Sequence, residues 1–175
     1  MLKRAVIVVG PAVEDTEYAY PFYRLKEDGF IVDTASDGAI DIIAKHGLPV
    51  KATADIRKIN PNDYDLLVVP GGLESPDRLR QISELLNFIS TMHASGKVIS
   101  SICHGPWVLI SAGIVKGKKM TCYVGCKDDL INAGATYVKT NVIADGNIVT
   151  APHFRDNAAW VRETLDVYYT INTKG

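Results

Sequence analysis

Three short apolar runs, each halted by small or rigid residues, constrain this chain more than any other feature. Lys3 to Val9 is rich in β-branched residues and stops at Gly10-Pro11. Tyr64 to Val69 stops at Pro70-Gly71-Gly72, and Lys97 to Ile102 stops at Cys103-His104-Gly105-Pro106. None of the three alternates polar with apolar residues, the pattern expected of strands buried on both faces of a parallel sheet. Between them the period changes. Glu14 to Asp28 repeats Tyr18, Phe22 and Leu25 at helical spacing and ends at Gly29, a plausible cap. Asp77 to Ala94 carries Leu79, Ile82, Leu85, Leu86 and Ile89 on one side and predicts a single amphipathic helix. Strands alternating with helices imply an α/β three-layer sandwich with a mostly parallel central sheet.

The remaining segments are shorter. Phe30 to Thr34 reads as a second strand, Ser36 to Pro49 as an irregular excursion, and Val50 to Thr53 as another β-like piece. In the last third, Thr121 to Tyr123 and Tyr137 to Ile143 flank a helix near Cys126 to Ala133 that stops at Gly134. Asp145-Gly146 is a hairpin signal leading into Asn147 to Thr150. Asp156 can cap a closing helix through Tyr169. No repeat or linker divides the sequence, so residues 1–175 are expected to form one domain.

Ligands of parallel sheets bind beyond the carboxyl ends of the strands. That rule brings together the loops Gly10–Glu17, Gly71–Asp77 and Cys103–Gly105. Cys103 stands two residues after Ser101 and two before Gly105, the small-x-nucleophile-x-Gly spacing of a nucleophile elbow after a central strand. Small neighbours suit a nucleophile held in a strained turn, and a helix beginning at Pro106 would favour its thiolate. On the cysteine alone, a buried structural residue explains the turn equally well. The adjoining His104 and the Gly-Pro helix start turn the reading toward chemistry. A cysteine hydrolase needs a thiolate, a proton carrier and oxyanion donors. Cys103, His104 and the backbone N–H groups of Gly72 and His104 would supply them.

Other side chains are less specific. Glu14 and Asp15 suit a helix N-terminus on charge alone. Glu17 differs: beside a thiolate, like charge would raise its pKa and leave it protonated to donate to sulfur. Asp77 can be a first-turn acid of its helix. Cys122 and Cys126 lack companion ligands and read as buried small residues, so no metal site is expected. The formal charge of −1 gives no electrostatic case for nucleic acid. The odd cysteine count of 3 argues against a disulfide framework, and no window has the length of a membrane span, so a reducing cytoplasmic setting is expected.

Several motifs, in order, carry a resemblance. Glu14-Asp15-x-Glu17, Tyr20-Pro21, Lys45-His46-Gly47, Pro70-Gly71-Gly72, Ser75-Pro76-Asp77-Arg78, Cys103-His104-Gly105-Pro106 and Lys127-Asp128-Asp129 together resemble the ThiJ/PfpI family. The match covers nearly the whole chain. It implies a flavodoxin-like, class I glutamine amidotransferase-like fold and no cofactor. It implies Cys103 as nucleophile, Glu17 as the carboxyl on its sulfur, and His104 as the site histidine. Asp77 would orient His104 from a neighbouring subunit, so the resemblance implies a homo-oligomer, a dimer or a hexamer, with its site completed across an interface. Lys45 and Tyr123 correspond to residues lining the substrate cleft, and Glu14 is placed with them in substrate binding.

The chain also departs from the pattern. One extra residue lies between Gly72 and Pro76, which affects the reach of Asp77. Ala151-Pro152-His153-Phe154-Arg155-Asp156 replaces a Ser-Arg-x-Pro stretch, and His153 reads as a loop residue. Leu48 stands where some peptidase-type members carry Tyr. The activities implied are cysteine-dependent hydrolysis of peptides, or glyoxalase III and deglycase chemistry on small carbonyls and their protein adducts. A redox-sensing or chaperone-like stress protein is the alternative. An amidotransferase would need His-x-Glu late in the chain, which His153-Phe154-Arg155 does not provide.

Overall fold

The computed structural model describes residues 2–173; Met1, Lys174 and Gly175 lie outside the described residues. In chain order the elements are β1 (Arg4–Val8), α1 (Asp15–Glu27), β2 (Ile31–Ser36), β3 (Ile42–Ile43), β4 (Pro49–Val50), β5 (Ala54–Asp55) and β6 (Leu66–Val69). There follow α2 (Ser75–Leu79), α3 (Ser83–Ala94), β7 (Val98–Ile102), α4 (Pro106–Ser111), β8 (Lys119–Met120) and α5 (Lys127–Asn132). The chain closes with β9 (Thr136–Tyr137), β10 (Ile143–Asp145), β11 (Ile148–Ala151) and α6 (Asn157–Asn172).

The main sheet has 7 strands in the order β10-β11-β7-β6-β1-β2-β5. Every pairing is parallel except the β10–β11 hairpin. The three apolar runs are its centre. Side chains alternate across the sheet because the strand period is two. Val6, Val8, Leu67, Val69 and Ile99 face Leu79, Leu85, Phe88, Ile89, Met92 and Leu109 on one side. Ala5, Ile7, Val9, Leu66, Val68 and Val98 face Tyr18, Leu25, Trp160, Val161 and Leu165 on the other. Helices α1 and α6 therefore form one outer layer and α2 to α5 the other, the sandwich expected from the alternating pattern.

Turn chemistry accounts for several boundaries. At the end of α1, Gly29 has φ 85°, its N–H donates to Lys26 O, and Phe30 N–H donates to Leu25 O. This pair of bonds is a Schellman cap, with Leu25 and Phe30 in contact in the same core. Gly134 closes α5 in the same way, its N–H on Ile131 O and that of Ala135 on Leu130 O.

Other boundaries differ from expectation. The helix foreseen over Asp77–Ala94 is two helices, α2 and α3, interrupted at Arg80–Ile82, and it starts earlier, at Ser75. Ile82 has an extended backbone there yet keeps its side chain in the core, so the apolar repeat continues across a break in the hydrogen-bond ladder. Thr121 to Tyr123 is not a strand; the pairing lies just before it, between β8 and β9. Tyr137 to Ile143 is divided between β9 and β10. Asp156 makes no side-chain cap bond to α6, which runs on to Asn172 rather than ending at Tyr169. The excursion after β2 folds as the β3–β4 hairpin, with Ile42 opposite Val50.

Sheet order reverses between β1, which leads outward to β2 and β5, and β6, which leads to β7 and β11. This switch point opens a crevice at the carboxyl ends of β1 and β6, beside the end of β7. No helix is long and apolar enough to cross a membrane among the described residues.

Candidate active site

The crevice is built from the three loops that follow β1, β6 and β7. Gly10 N–H donates to Ser75 Oγ at 2.8 Å, and Val13 bridges Gly72, so the first two loops are joined by hydrogen bonds. Cys103 N–H donates to Ala151 O at 3.0 Å, and Tyr123 N–H donates to Cys103 O at 2.9 Å. The elbow is thus held from both sides by segments distant in sequence.

Cys103 has φ 60°, a conformation that L-residues rarely adopt, and it is 9% exposed. The small neighbours expected around it have specific reasons. A Cβ on Gly105 would lie 2.4 Å from both Ser101 Oγ and Val69 O. A Cβ on Gly71 would lie 2.7 Å from Cys103 Cβ. Gly72, the other residue expected to supply an oxyanion donor, is confined as well. What crowds it is the protein's own backbone: a Cβ there would meet Ala12 O at 2.4 Å, and its φ is 104°.

Glu17 is fully buried on the first turn of α1. Its Oε2 accepts the Gly71 N–H at 2.7 Å, and its Oε1 has no hydrogen-bond partner among the described residues. Burial, more than any neighbouring charge, pushes its pKa up to about 7, with Glu14 adding a smaller push and Cys103 opposing it. The raised pKa expected for Glu17 is therefore present, but desolvation rather than the thiolate is its main cause.

Cys103 itself departs from expectation. Burial and the adjacent Glu17 charge push its thiol up, and the N–H groups of His104 and Gly72 oppose that shift without overcoming it. The six-residue helix α4 does not tip the resting sulfur to thiolate. A proton on Glu17 removes the charge that helps to raise the thiol, so the two groups titrate together rather than independently. The same two amides are the oxyanion donors expected from the sequence, and both act on the sulfur.

His104 Nδ1 lies 3.2 Å from Cys103 Sγ. Burial, and secondarily Lys45, lower the His104 pKa, so the ring is neutral at pH 7 and can accept a proton. Tyr123 stacks on His104 with centroids 4.7 Å apart, and Trp107 packs edge-on at 5.2 Å. Trp107 is in turn held by its Nε1–H donating to Asp129 Oδ2 at 2.9 Å.

The β3–β4 hairpin places Lys45 at the crevice, where its N–H donates to Val13 O at 2.9 Å and its ammonium lies 3.7 Å from Glu14 Oε2. Glu14, Asp15 and His46 present ligand-type atoms within 4.8 Å of one another. Asp15 already accepts the N–H groups of His46 and Leu48, and the Lys45 ammonium faces Glu14, which favours an ion-pair network over a cation site. Cys122 and Cys126 are fully buried, as expected of small packing residues.

A cleft of about 170 Å³ opens over the sulfur, lined by Cys103, Glu17, Glu14, Lys45, His104 and Tyr123. His153 and Phe154 line it too. His153, expected only as a loop residue, is a wall of this cleft. The signal was available, since His153 follows directly on a strand that ends at the carboxyl edge. Asp77 is not in the cleft. It is exposed on α2, and no hydrogen bond or ion pair joins it to His104 within the chain among the described residues.

Fold and crevice together define an α/β protein with a cysteine elbow at the carboxyl edge of a parallel sheet. The sequence matches the DJ-1/PfpI family over residues 3–167, and the chain belongs to that family. Deglycase PfpI of Pyrococcus furiosus is 44% identical over 150 residues, covering 86% of this chain and 90% of that protein. The candidate cysteine protease YraA of Bacillus subtilis is 36% identical over 168 residues, covering 95% and 99%. Among solved structures, a two-domain protein of Anabaena variabilis with DJ-1/ThiJ/PfpI-like and ferritin-like domains superposes with a TM-score of 0.91 at 31% identity. The match covers 94% of this chain and 47% of that one. DJ-1beta of Drosophila melanogaster shares the fold, with a TM-score of 0.87 at 24% identity over 97% of this chain and 90% of its own.

Proposed function

We propose that this chain is a Cys103-dependent hydrolase acting on small reactive carbonyls, α-oxoaldehydes above all, and on their adducts. The observation that carries this reading is the fully buried Glu17, with a pKa pushed up to about 7, beside the Cys103 thiol. A carboxyl poised near neutrality can both give and take a proton at the reacting carbon. The deglycase name of the Pyrococcus furiosus relative supports the same substrate class. So does a cleft of about 170 Å³, which suits a three-carbon compound better than a peptide segment.

The steps balance without an outside oxidant. Sγ bonds to the aldehyde carbon while His104 Nδ1 takes the thiol proton, and the carbonyl electron pair moves to oxygen. That oxyanion rests on the Gly72 and His104 amides until His104 returns the proton, giving a hemithioacetal. The Glu17 carboxylate removes the hydrogen of that carbon as a proton and returns it to the neighbouring carbon, while the hydroxyl proton passes to the neighbouring oxygen and the carbonyl re-forms on the sulfur-bearing carbon. One carbon is oxidised and its neighbour reduced, which leaves a 2-hydroxyacyl thioester. Water then cleaves the C–S bond, releasing a 2-hydroxy acid and the thiol. In this reading Asp77 orients His104 from a second copy of the chain, because it does not do so within one.

Peptide hydrolysis uses the same nucleophile, and the Bacillus subtilis relative's name points to it. Purified protein incubated separately with methylglyoxal and with a fluorogenic peptide, beside Cys103→Ala, decides between them. Lactate formation that requires Cys103 is the expected result. Lactate formation that survives the substitution, or peptide cleavage alone, would overturn the carbonyl reading.

A further inference from the structure

His153 takes no part in the thiol chemistry above, yet it stands in the same cleft. The bond from Cys103 N–H to Ala151 O, at 3.0 Å, ties the end of β11 to the elbow and fixes the start of Pro152-His153-Phe154. The His153 ring lies 4.1 Å from Phe154 and 6.3 Å from Tyr123, centroid to centroid. Tyr123 in turn stacks on His104. The two imidazoles therefore share one tyrosine, but only His104 touches the sulfur.

The hydrogen bonding of His153 defines its chemistry. Its Nδ1 accepts the Arg155 N–H at 3.3 Å. A neutral imidazole that accepts at Nδ1 carries its proton on Nε2. No hydrogen bond within the chain engages that Nε2–H among the described residues. A half-buried donor lining a cleft discriminates by what it meets. An oxygen satisfies it, and a hydrocarbon that displaces water from it does not.

We infer that His153 is a specificity residue whose Nε2–H donates to an oxygen carried on the substrate beyond the carbonyl carbon that Cys103 attacks. The ligand class is short aldehydes with a second oxygen, α-oxoaldehydes and hydroxyaldehydes, in preference to plain aldehydes. The inference rests on the carbonyl reading of the site and names the part of the substrate that the thiol does not read.

The test uses three aldehydes of equal carbon number: propanal, methylglyoxal and glyceraldehyde. Each adds reversibly to the thiol, with the S–H proton passing to the carbonyl oxygen, and so shields Cys103 from iodoacetamide; protection is read over times too short for turnover to deplete methylglyoxal. Alkylation is followed by mass spectrometry in the natural protein, His153→Leu and His153→Gln. The expected result is that half-protection of His153→Leu needs about tenfold more methylglyoxal or glyceraldehyde and the same concentration of propanal. His153→Gln, which keeps a donor near the Nε2 position, recovers most of the difference. Equal shifts for all three aldehydes, no shift, or loss of propanal protection in His153→Leu would overturn the inference. Discrimination without lactate formation would remove the hydrolase reading and leave His153 standing. Lactate formation without discrimination would do the reverse.

Discussion

Gly71 donates its backbone N–H to Oε2 of Glu17 at 2.7 Å, joining the end of β6 to the first turn of α1 beneath the nucleophile. The bond leaves Oε1 as the free oxygen of a fully buried carboxyl. It opposes the effect of burial on the Glu17 pKa and does not cancel it.

The consequence for stability has a definite sign. Glu17 in the folded chain has a pKa of about 7, against an ordinary 4.5 in the unfolded one. Between those values the folded state binds more protons, so stability falls as pH rises through that window and is not regained above it. The difference corresponds to about 3 kcal/mol. Urea unfolding at pH 5 and pH 8 should show the natural protein losing stability relative to Glu17→Gln by an amount of that order. An identical pH response in both proteins would contradict the assignment.

Activity should follow the same group in the opposite direction. If the Glu17 carboxylate takes the proton from carbon, the rate of lactate formation rises with pH through about 7. Glu17→Gln should lose at least about a hundredfold in kcat while Cys103 still reacts with iodoacetamide. A Gln variant that retains its rate would exclude Glu17 from proton transfer.

Gly105→Ala tests the elbow. Its new Cβ would press on Val69 O and Ser101 Oγ, each only 2.4 Å away, and the Val69 carbonyl belongs to a central strand that cannot move aside. A loss of about 3 kcal/mol or more is expected in chemical denaturation, against under about 1 kcal/mol for a tolerated exposed-site glycine change.

The role of Asp77 is tested by mixing. Cys103→Ala and Asp77→Asn chains, each inactive alone, should regain about a quarter of the natural activity when unfolded and refolded together as random dimers. Only the mixed pairs hold one complete site. No recovery, with mixed pairs demonstrated by native mass spectrometry, would rule out a contribution from a neighbour. Because Asp77 is exposed and its side chain makes no hydrogen bond or ion pair among the described residues, Asp77→Asn should leave unfolding unchanged within about 0.5 kcal/mol.

How far these features were legible in the sequence depended on how local their causes are. The apolar runs of β1, β6 and β7 and the glycine caps at Gly29 and Gly134 follow from interactions within a few residues, and they are where they were expected. The break between α2 and α3 was hidden because Ile82 preserves the apolar period while its backbone leaves the helix. The resting state of Cys103 was misjudged for a related reason. The helix start and flanking residues are visible in the sequence, whereas the burial that raises the thiol depends on the tertiary fold, which brings segments as distant as Gly71 and Ala151 against Cys103. His153 was visible as a residue but not as a wall of the cleft, since that depends on the bond between Cys103 and Ala151.

The sheet ends on one side in β5, which is only 2 residues long, and on the other in β10, which is 3. Strands that brief offer almost no ladder of unpaired N–H and C=O groups to an incoming chain. Copies of this protein that meet at high concentration are consequently steered away from edge-to-edge pairing and fibrous growth. Side chains on helices and loops are then the surface better suited to association, where a single substitution can tune or abolish it.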